Sequence, residues 1–189
     1  MTPPSAPAGF DERARRVRLA CFDVDGTLTD GRLTYDSEGR ESKSFHVHDG
    51  QGLVLLWRAG VRVALVTARH STIDERRAAE LGVDACTGIG DKLSCVEGIA
   101  RAHGIALGEV AFMGDDLPDL RVMTHVGLSG CPSDAHPWIR ERAAWRSRRA
   151  GGSGAAREFV DAILLAQGRV ESIIAALLDP APIALGTQS

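Results

Sequence analysis

The stretch Phe22-Asp-Val-Asp-Gly-Thr-Leu-Thr-Asp30 decides how the rest of the chain is read. It follows an apolar run, Val17 to Phe22, with the length and composition of a buried strand. Asp23 therefore falls just past the carboxyl end of that strand, where an open β/α sheet carries its ligands. Asp23 and Asp25 stand two residues apart, and like charges held close cannot both stay ionised without a cation or a proton between them. The pair points to a bound metal. Gly26 allows a sharp turn and leaves its own amide and that of Thr27 free to face an anion. Taken alone, the stretch has a second reading as an acidic turn in which Asp and Gly merely lead out of a strand.

Beyond this loop, Leu33, Tyr35, Phe45 and Val47 flank a Ser37-Glu38-Gly39 turn, which predicts a projecting β-hairpin over 31–49. Asp49 to Gly60 reads as a helix, with Leu53, Leu56 and Trp57 at helical spacing. From there strands and helices alternate. Strands are expected over 61–66, 83–86, 110–113 and 126–128, and helices over 72–81, 93–103, 117–125 and 135–140. An edge strand is expected at 144–146, and a helix over 155–178 with a break near Gly168. Parallel strands need such crossovers, so the fold class is α/β, a three-layer parallel sheet with helices on both faces. Residues 1–17 read as a tail and lead-in, 18–178 as one domain, and 179–189 as a disordered tail.

The chain has 189 residues, of which 44% are hydrophobic, enough for one core without a second domain. Its 22 basic and 25 acidic residues leave a net charge of -3, which offers no general attraction for nucleic acid or membrane. Arg140, Arg142, Arg146, Arg148 and Arg149 form a local exception, read as a solvated and partly ion-paired face. Cys21, Cys86, Cys95 and Cys131 form no Cys-x-x-Cys pair, which argues against a zinc site or disulfide framework and suits a reducing cytoplasm. Neither a signal peptide nor a membrane span is expected.

If the site lies at the carboxyl edge, each strand end should deliver polar groups to it. The strand over 61–66 ends in Thr67-Ala68-Arg69, the loop after the next carries Lys92, and the strand over 110–113 ends in Gly114-Asp115-Asp116. Singly, each has a mundane account as a strand-end hydroxyl, a surface lysine or a helix N-cap. Together they supply a nucleophile, an acid, a hydroxyl donor, a cation and a second acidic cluster. That set suits phosphoryl transfer, where catalysis is positioning plus neutralisation of charge on the phosphoryl oxygens.

The segments Asp23-Val-Asp-Gly-Thr27, Thr67-Ala-Arg69, Lys92 and Gly114-Asp-Asp-Leu-Pro-Asp119 resemble the four motifs of the haloacid dehalogenase superfamily, in order. The resemblance runs from about Arg18 to Gly168 and implies a Rossmann-like fold. It implies that Asp23 is a nucleophile forming an aspartyl-phosphate, Asp25 an acid and base, Thr67 a phosphoryl hydrogen-bond donor and Lys92 a neutralising cation. It further implies Mg²⁺ held by Asp23, the main-chain carbonyl of Asp25 and Asp115, with Asp116 or Asp119 in supporting roles. Too few residues separate Asp30 from Gly50, or Leu81 from Lys92, to hold a cap domain. Hydrolysis is thereby favoured over transfer between sugars.

Leu28-Thr-Asp-Gly-Arg-Leu-Thr-Tyr35, His46-Val-His-Asp-Gly-Gln-Gly-Leu53, Asp134-Ala-His-Pro137 and Ala150-Gly-Gly-Ser-Gly-Ala-Ala-Arg-Glu158 look like the 3-deoxy-D-manno-octulosonate 8-phosphate phosphatases. That likeness implies a phosphorylated sugar-acid substrate of lipopolysaccharide precursor synthesis and a homotetramer whose neighbours cover each site. Substrate contacts implied by it are Asp25, His46, His48, Asp49, Gly50, Arg69, Arg77 and Lys92. The family pattern Asn-Val-Arg-Asp-Gly is replaced here by His46-Val-His48-Asp-Gly50, and a later arginine by Val54, which leaves a phosphatase of related nine-carbon sugar acids as an alternative. On a strand, His46 and His48 would share one face, a spacing also compatible with a transition metal. A non-catalytic module that kept the fold is the alternative outside enzymes.

Overall fold

The apolar run before the acidic loop forms strand β1, Leu19–Phe22, which is buried at every position. The computed structural model describes residues 9–179, so residues 1–8 of the expected tail and lead-in and 180–189 of the expected C-terminal tail lie outside the described residues. On either side of β1 lie β4 (Arg62–Val66) and β6 (Val110–Met113), both parallel to it. With β5 (Asp84–Cys86), β7 (Leu128–Cys131) and β8 (Trp145–Arg146) the sheet has the order β5-β4-β1-β6-β7-β8, parallel throughout. The chain therefore enters the sheet at its centre and reverses direction across β1. Such a switch point opens a crevice at the carboxyl edge.

Because successive side chains of a strand point to opposite faces, the strand residues sort into two cores. Ala20, Phe22, Val63, Leu65, Ala111 and Met113 face one layer, and Leu19, Cys21, Ala64, Val66, Val110 and Phe112 the other. The first layer holds α1 (Phe10–Arg15), α2 (Val47–Arg58), α3 (Thr72–Leu81) and α7 (Ala155–Ala166). The second holds α4 (Lys92–Ala102), α5 (Leu117–His125) and α6 (Pro137–Arg142). Phe22 meets Phe159 of α7 edge-on, ring centroids 6.4 Å apart, and truncating either buried ring to Ala should cost about 3–5 kcal/mol. A last helix, α8 (Val170–Leu178), follows a break at Gly168, as expected.

Two expectations are corrected. The hairpin is far shorter than the apolar pattern implied, with β2 (Thr34–Tyr35) and β3 (Glu41–Ser42) pairing antiparallel over two residues each. Phe45 lies outside it and Val47 opens α2, because His46 caps that helix and turns the chain out of extended backbone. Strand β7 also starts at Leu128 rather than at Val126. Gly127 presses against the Gly108 backbone, where a Cβ would collide with its carbonyl, so the chain joins the sheet only after this crossing.

Candidate active site

Phe22 at the end of β1 pairs with Met113 at the end of β6 and with Leu65, one residue before the end of β4, so the three strands finish within one rung of each other. Asp23, Thr67 and Asp115 follow from adjacent strand ends for that reason. Asp23 is buried, and its N–H donates to the Met113 carbonyl at 2.9 Å, which extends the ladder one step beyond the strand. Lys92, at the first position of α4, points back into the edge. Its Nζ donates to Asp23 Oδ1 at 2.6 Å and to Asp119 Oδ1 at 2.5 Å. Asp119 is held on its other oxygen, where Oδ2 accepts the amides of Asp115 (3.0 Å) and Asp116 (3.3 Å) within the N-terminal cap of α5.

The electrostatics follow from crowding. Burial, then the nearby Asp119 carboxylate, drives the Asp23 carboxyl well above the usual carboxylate range despite Lys92, and Asp115 adds to the rise. Burial and Asp119 likewise push Asp115 up to about 6, although Thr27 donates to its Oδ1 at 3.1 Å. Lys92 moves the other way. Burial alone would lower its pKa, but Asp23 and Asp119 together raise it, so it stays charged. Carboxylate oxygens of Asp23, Asp115 and Asp119 lie within 4.8 Å of one another. An all-oxygen, anionic donor set of this kind suits a hard divalent cation such as Mg²⁺. Of the three, Asp119 has both oxygens engaged by protein donors, which leaves Asp23 and Asp115 as the freer ligands. Gly26 makes the close approach possible. It sits at φ 94, and a Cβ there would run into the Asp115 carboxylate.

Asp25 faces the hairpin. Its Oδ1 lies 2.8 Å from Lys43 Nζ and 4.0 Å from Arg69 Nη1. Lys43 follows β3 and is almost fully buried, with its second partner Asp74 Oδ2 of α3, also at 2.8 Å. Burial opposes the charge on Lys43, but hydrogen bonds to Asp25 and Asp74 raise its pKa overall. Arg69 lies 2.7 Å from Glu41 Oε1 and donates to the Tyr35 hydroxyl at 3.2 Å, so both hairpin strands meet it. Neither Lys43 nor Asp74 was singled out from sequence. Lys43 looks like an edge-strand lysine and Asp74, three residues after the Ser71 cap, like a helix-start acid. A lysine in the hairpin beside the acidic loop was the one available signal.

The remaining expected substrate residues lie apart from this cluster. His46 Nδ1 accepts the His48 amide at 3.3 Å, with the rings edge-to-face 5.0 Å apart, so the shared strand face does not exist. The two histidines line an open groove of about 450 Å³ with Arg148, Arg149, Gly154 and Arg157, and neither Asp23 nor Lys92 borders it. Asp49 accepts the amides of Gly154 (3.1 Å) and Arg157 (2.8 Å), which ties α2 to the start of α7. Gly50 abuts the Arg77 guanidinium, which lies 5.5 Å from the centroid of the Phe45 ring and 3.4 Å from Glu80. Of the arginine-rich run, Arg142 and Arg148 are ion-paired, with Glu141 and Glu158, as a solvated face predicts.

No family model matches the chain. Among characterised proteins, the 3-deoxy-D-manno-octulosonate 8-phosphate phosphatase KdsC of Escherichia coli K12 is 41% identical over 160 residues, covering 84% of this chain and 85% of that protein. A solved hypothetical protein from Xanthomonas campestris superposes with a TM-score of 0.92 at 53% identity, covering 95% of this chain and 99% of that one. The Moraxella catarrhalis 3-deoxy-D-manno-octulosonate 8-phosphate phosphatase, solved with magnesium, phosphate and KDO, superposes with a TM-score of 0.86 at 38% identity, covering 88% and 97%. With this likeness extending over nearly the whole of each relative, the chain belongs to the 3-deoxy-D-manno-octulosonate 8-phosphate phosphatase family of haloacid dehalogenase-type hydrolases.

Proposed function

We propose that the protein is a Mg²⁺-dependent phosphatase that removes the 8-phosphate of 3-deoxy-D-manno-octulosonate 8-phosphate. The observation that carries this reading is the buried Lys92 bridging Asp23 and Asp119 beside Asp115 at the switch point of the sheet. A carboxylate is a weak nucleophile toward a phosphate dianion unless nearby positive charge offsets their repulsion. Mg²⁺ held by Asp23, the main-chain carbonyl of Asp25 and Asp115 supplies part of that charge when bound. Lys92 supplies the rest and holds one Asp23 oxygen, which leaves the other for phosphorus.

In the first step an Asp23 oxygen bonds to phosphorus as the bond to the sugar oxygen breaks, giving an aspartyl-phosphate. Asp25 gives its proton to the leaving oxygen, then removes one from the water that cleaves the intermediate. Its two oxygens are not equivalent. Oδ1 takes Lys43, while Oδ2 is buried without a hydrogen-bond partner, and Oδ2 is the oxygen free to carry that proton. Thr67, also buried, donates to a phosphoryl oxygen. Arg69 takes the substrate carboxylate by exchanging Glu41 for it, a guanidinium being shaped to hold a carboxylate in two parallel bonds. His46, His48 and Arg77 meet the far end of the substrate, while the buried Asp49 and Gly50 act through packing, Asp49 tying α2 to α7 and Gly50 abutting Arg77.

The exposed Leu33, Tyr35 and Val47, at 51%, 54% and 73%, support a homotetramer in which hairpins from several copies meet. Four free thiols support a cytoplasmic setting. The test is phosphate release with Mg²⁺ from a panel of phosphorylated sugar acids. Preference for the eight-carbon 3-deoxy keto acid, lost on chelation and restored by Mg²⁺, is the expected result. Preference for a nine-carbon acid would favour the related family that His46 and His48 leave open. No release from any sugar acid or aryl phosphate would overturn the reading. Sedimentation as a fully active monomer would overturn the tetramer.

A further inference from the structure

The hairpin sends two charged side chains into the site, Glu41 to Arg69 and Lys43 to Asp25 and Asp74. Glu41 stands directly across the ladder from Tyr35, and both meet the Arg69 guanidinium. The two contacts differ in kind. Arg69 Nη2 donates to the Tyr35 hydroxyl at 3.2 Å, whereas Nη1 lies 2.7 Å from Glu41 Oε1 with both atoms buried and neither hydrogen-bonded. Among the described residues no other cation pairs with Glu41. Arg69 has further anchors of its own, since its amide donates to Thr67 Oγ1 at 3.3 Å and its carbonyl accepts the Gly88 amide at 3.0 Å. Withdrawal of Glu41 would therefore leave the arginine in place, with Asp25, at 4.0 Å, as its one remaining carboxylate among the described residues.

We propose that Glu41 is a specificity-determining residue, an internal carboxylate that holds the Arg69 guanidinium in the empty site and competes for it with the carboxylate of the sugar acid. The inference rests on the phosphatase reading above, in which Arg69 takes that carboxylate. A carboxylate fixed to β3 reaches Arg69 without hydrogen-bond geometry. One carried by a ligand is free to turn and make two parallel bonds to the same fork, and so displaces Glu41. A phosphate ester without a carboxylate has its one anionic group engaged at Lys92 and leaves the pair closed. The competition also acts after the chemistry. The dephosphorylated acid keeps the carboxylate of the substrate, and a guanidinium with no other partner would retain it. Return of Glu41 offsets that hold and helps the product leave. Affinity is what this arrangement gives up, because a ligand that must first open the pair binds more weakly by the fraction of molecules in which Arg69 is free.

The experiment titrates the full Mg²⁺-loaded chain with free 3-deoxy-D-manno-octulosonate, and in parallel with a nine-carbon keto acid, by calorimetry. Glu41→Gln should bind the acid preferred by the unaltered chain about fivefold more tightly, the scale of one partly exposed ion pair. KM for the matching phosphorylated acid should fall by a similar factor. Damage to the fold would move both the other way. In an Arg69→Ala background the same substitution should change the dissociation constant by less than about twofold. Should Glu41→Gln lose its fold, Glu41→Asp, with an arm one methylene shorter, should show the tightening instead. Calorimetry needs no turnover, so its result is separable from failure of the phosphatase reading. Unchanged or weaker binding in Glu41→Gln, the same tightening without Arg69, or no binding of either acid by either form would each overturn the proposal.

Discussion

The floor of the site and the hairpin side above it differ in how completely their polar groups are paired. On the floor, Lys92, Asp23, Asp119 and the amides of Asp115 and Asp116 form one connected set of hydrogen bonds, the two from Lys92 short. On the hairpin side are all the buried side-chain atoms found without a hydrogen-bond partner among the described residues: Asp25 Oδ2, Glu41 Oε1, Arg69 Nη1 and Asp74 Oδ1. Glu41 and Arg69 approach to 2.7 Å, but at an angle outside hydrogen-bond geometry. Unpaired buried polar groups cost free energy, so these four atoms need partners from water, an ion or a ligand. On the proposed reading, the floor is the part set for the chemistry and the hairpin side the part that meets the substrate.

Substitutions on the two sides should separate them. Asp23→Asn, on the floor, should lower phosphate release from any substrate by about 10⁴-fold or more with the thermal melt preserved. Asp25→Asn should cost about 10²- to 10⁴-fold on both steps, read by burst kinetics. Lys43→Met, on the hairpin side, leaves Asp25 and Asp74 without their shared cation. It should reduce kcat by about 10²-fold and stability by about 3 kcal/mol, with Lys43→Arg recovering part of both. Unchanged kcat in Lys43→Met would mean that the hairpin only covers the site. Arg69→Ala should weaken use of the sugar-acid phosphate by about tenfold while sparing a small aryl phosphate. Equal losses on both would move Arg69 to the floor's side of the comparison.

The smallest effect concerns the loop that borders both regions. Burial would raise the Glu158 carboxyl, yet hydrogen bonds from Ser147 and Arg148 hold it below its ordinary value. A depressed carboxylate contributes stability that is present above its unfolded pKa of about 4.3 and lost as pH falls through the folded one. Glu158→Gln should therefore melt about 2–4 °C lower at neutral pH, and the gap should close as the pH falls below about 4. A gap independent of pH would show that packing, not ionisation, holds the loop.

The same division marks what was legible in the sequence. Asp23, Thr67, Lys92 and Asp115 could be placed because each follows an apolar strand or opens a helix, and local periodicity fixes that position. Lys43 and Asp74 could not. Their pairing spans 31 residues between a loop and a helix face, and neither position has a local pattern that marks it. His46 and His48 were misplaced for a related reason. Alternation of apolar residues continued through Phe45 and Val47, and the capping role of a histidine, less typical than serine or aspartate, gave no warning that a helix began there. The hairpin was overextended by the same alternation, since tertiary contacts, not pattern, end it.

The central place of β1 in the sheet also sets the order in which the protein can be made. Strand β1 leaves the ribosome before its partners, which appear about 40 and 90 residues later, and until then its two edges are unpaired. Contacts so distant in sequence slow folding, because long loops must close before they are rewarded. Lys92 joins Asp23 across 69 positions, and Thr27 joins Asp115 across 88. Nascent chains that have grown past Val66 but not yet to Val110 hold β1 and β4 but lack β6 and the second acidic cluster. They expose a bare strand edge, and chaperone capture should concentrate on that interval of synthesis.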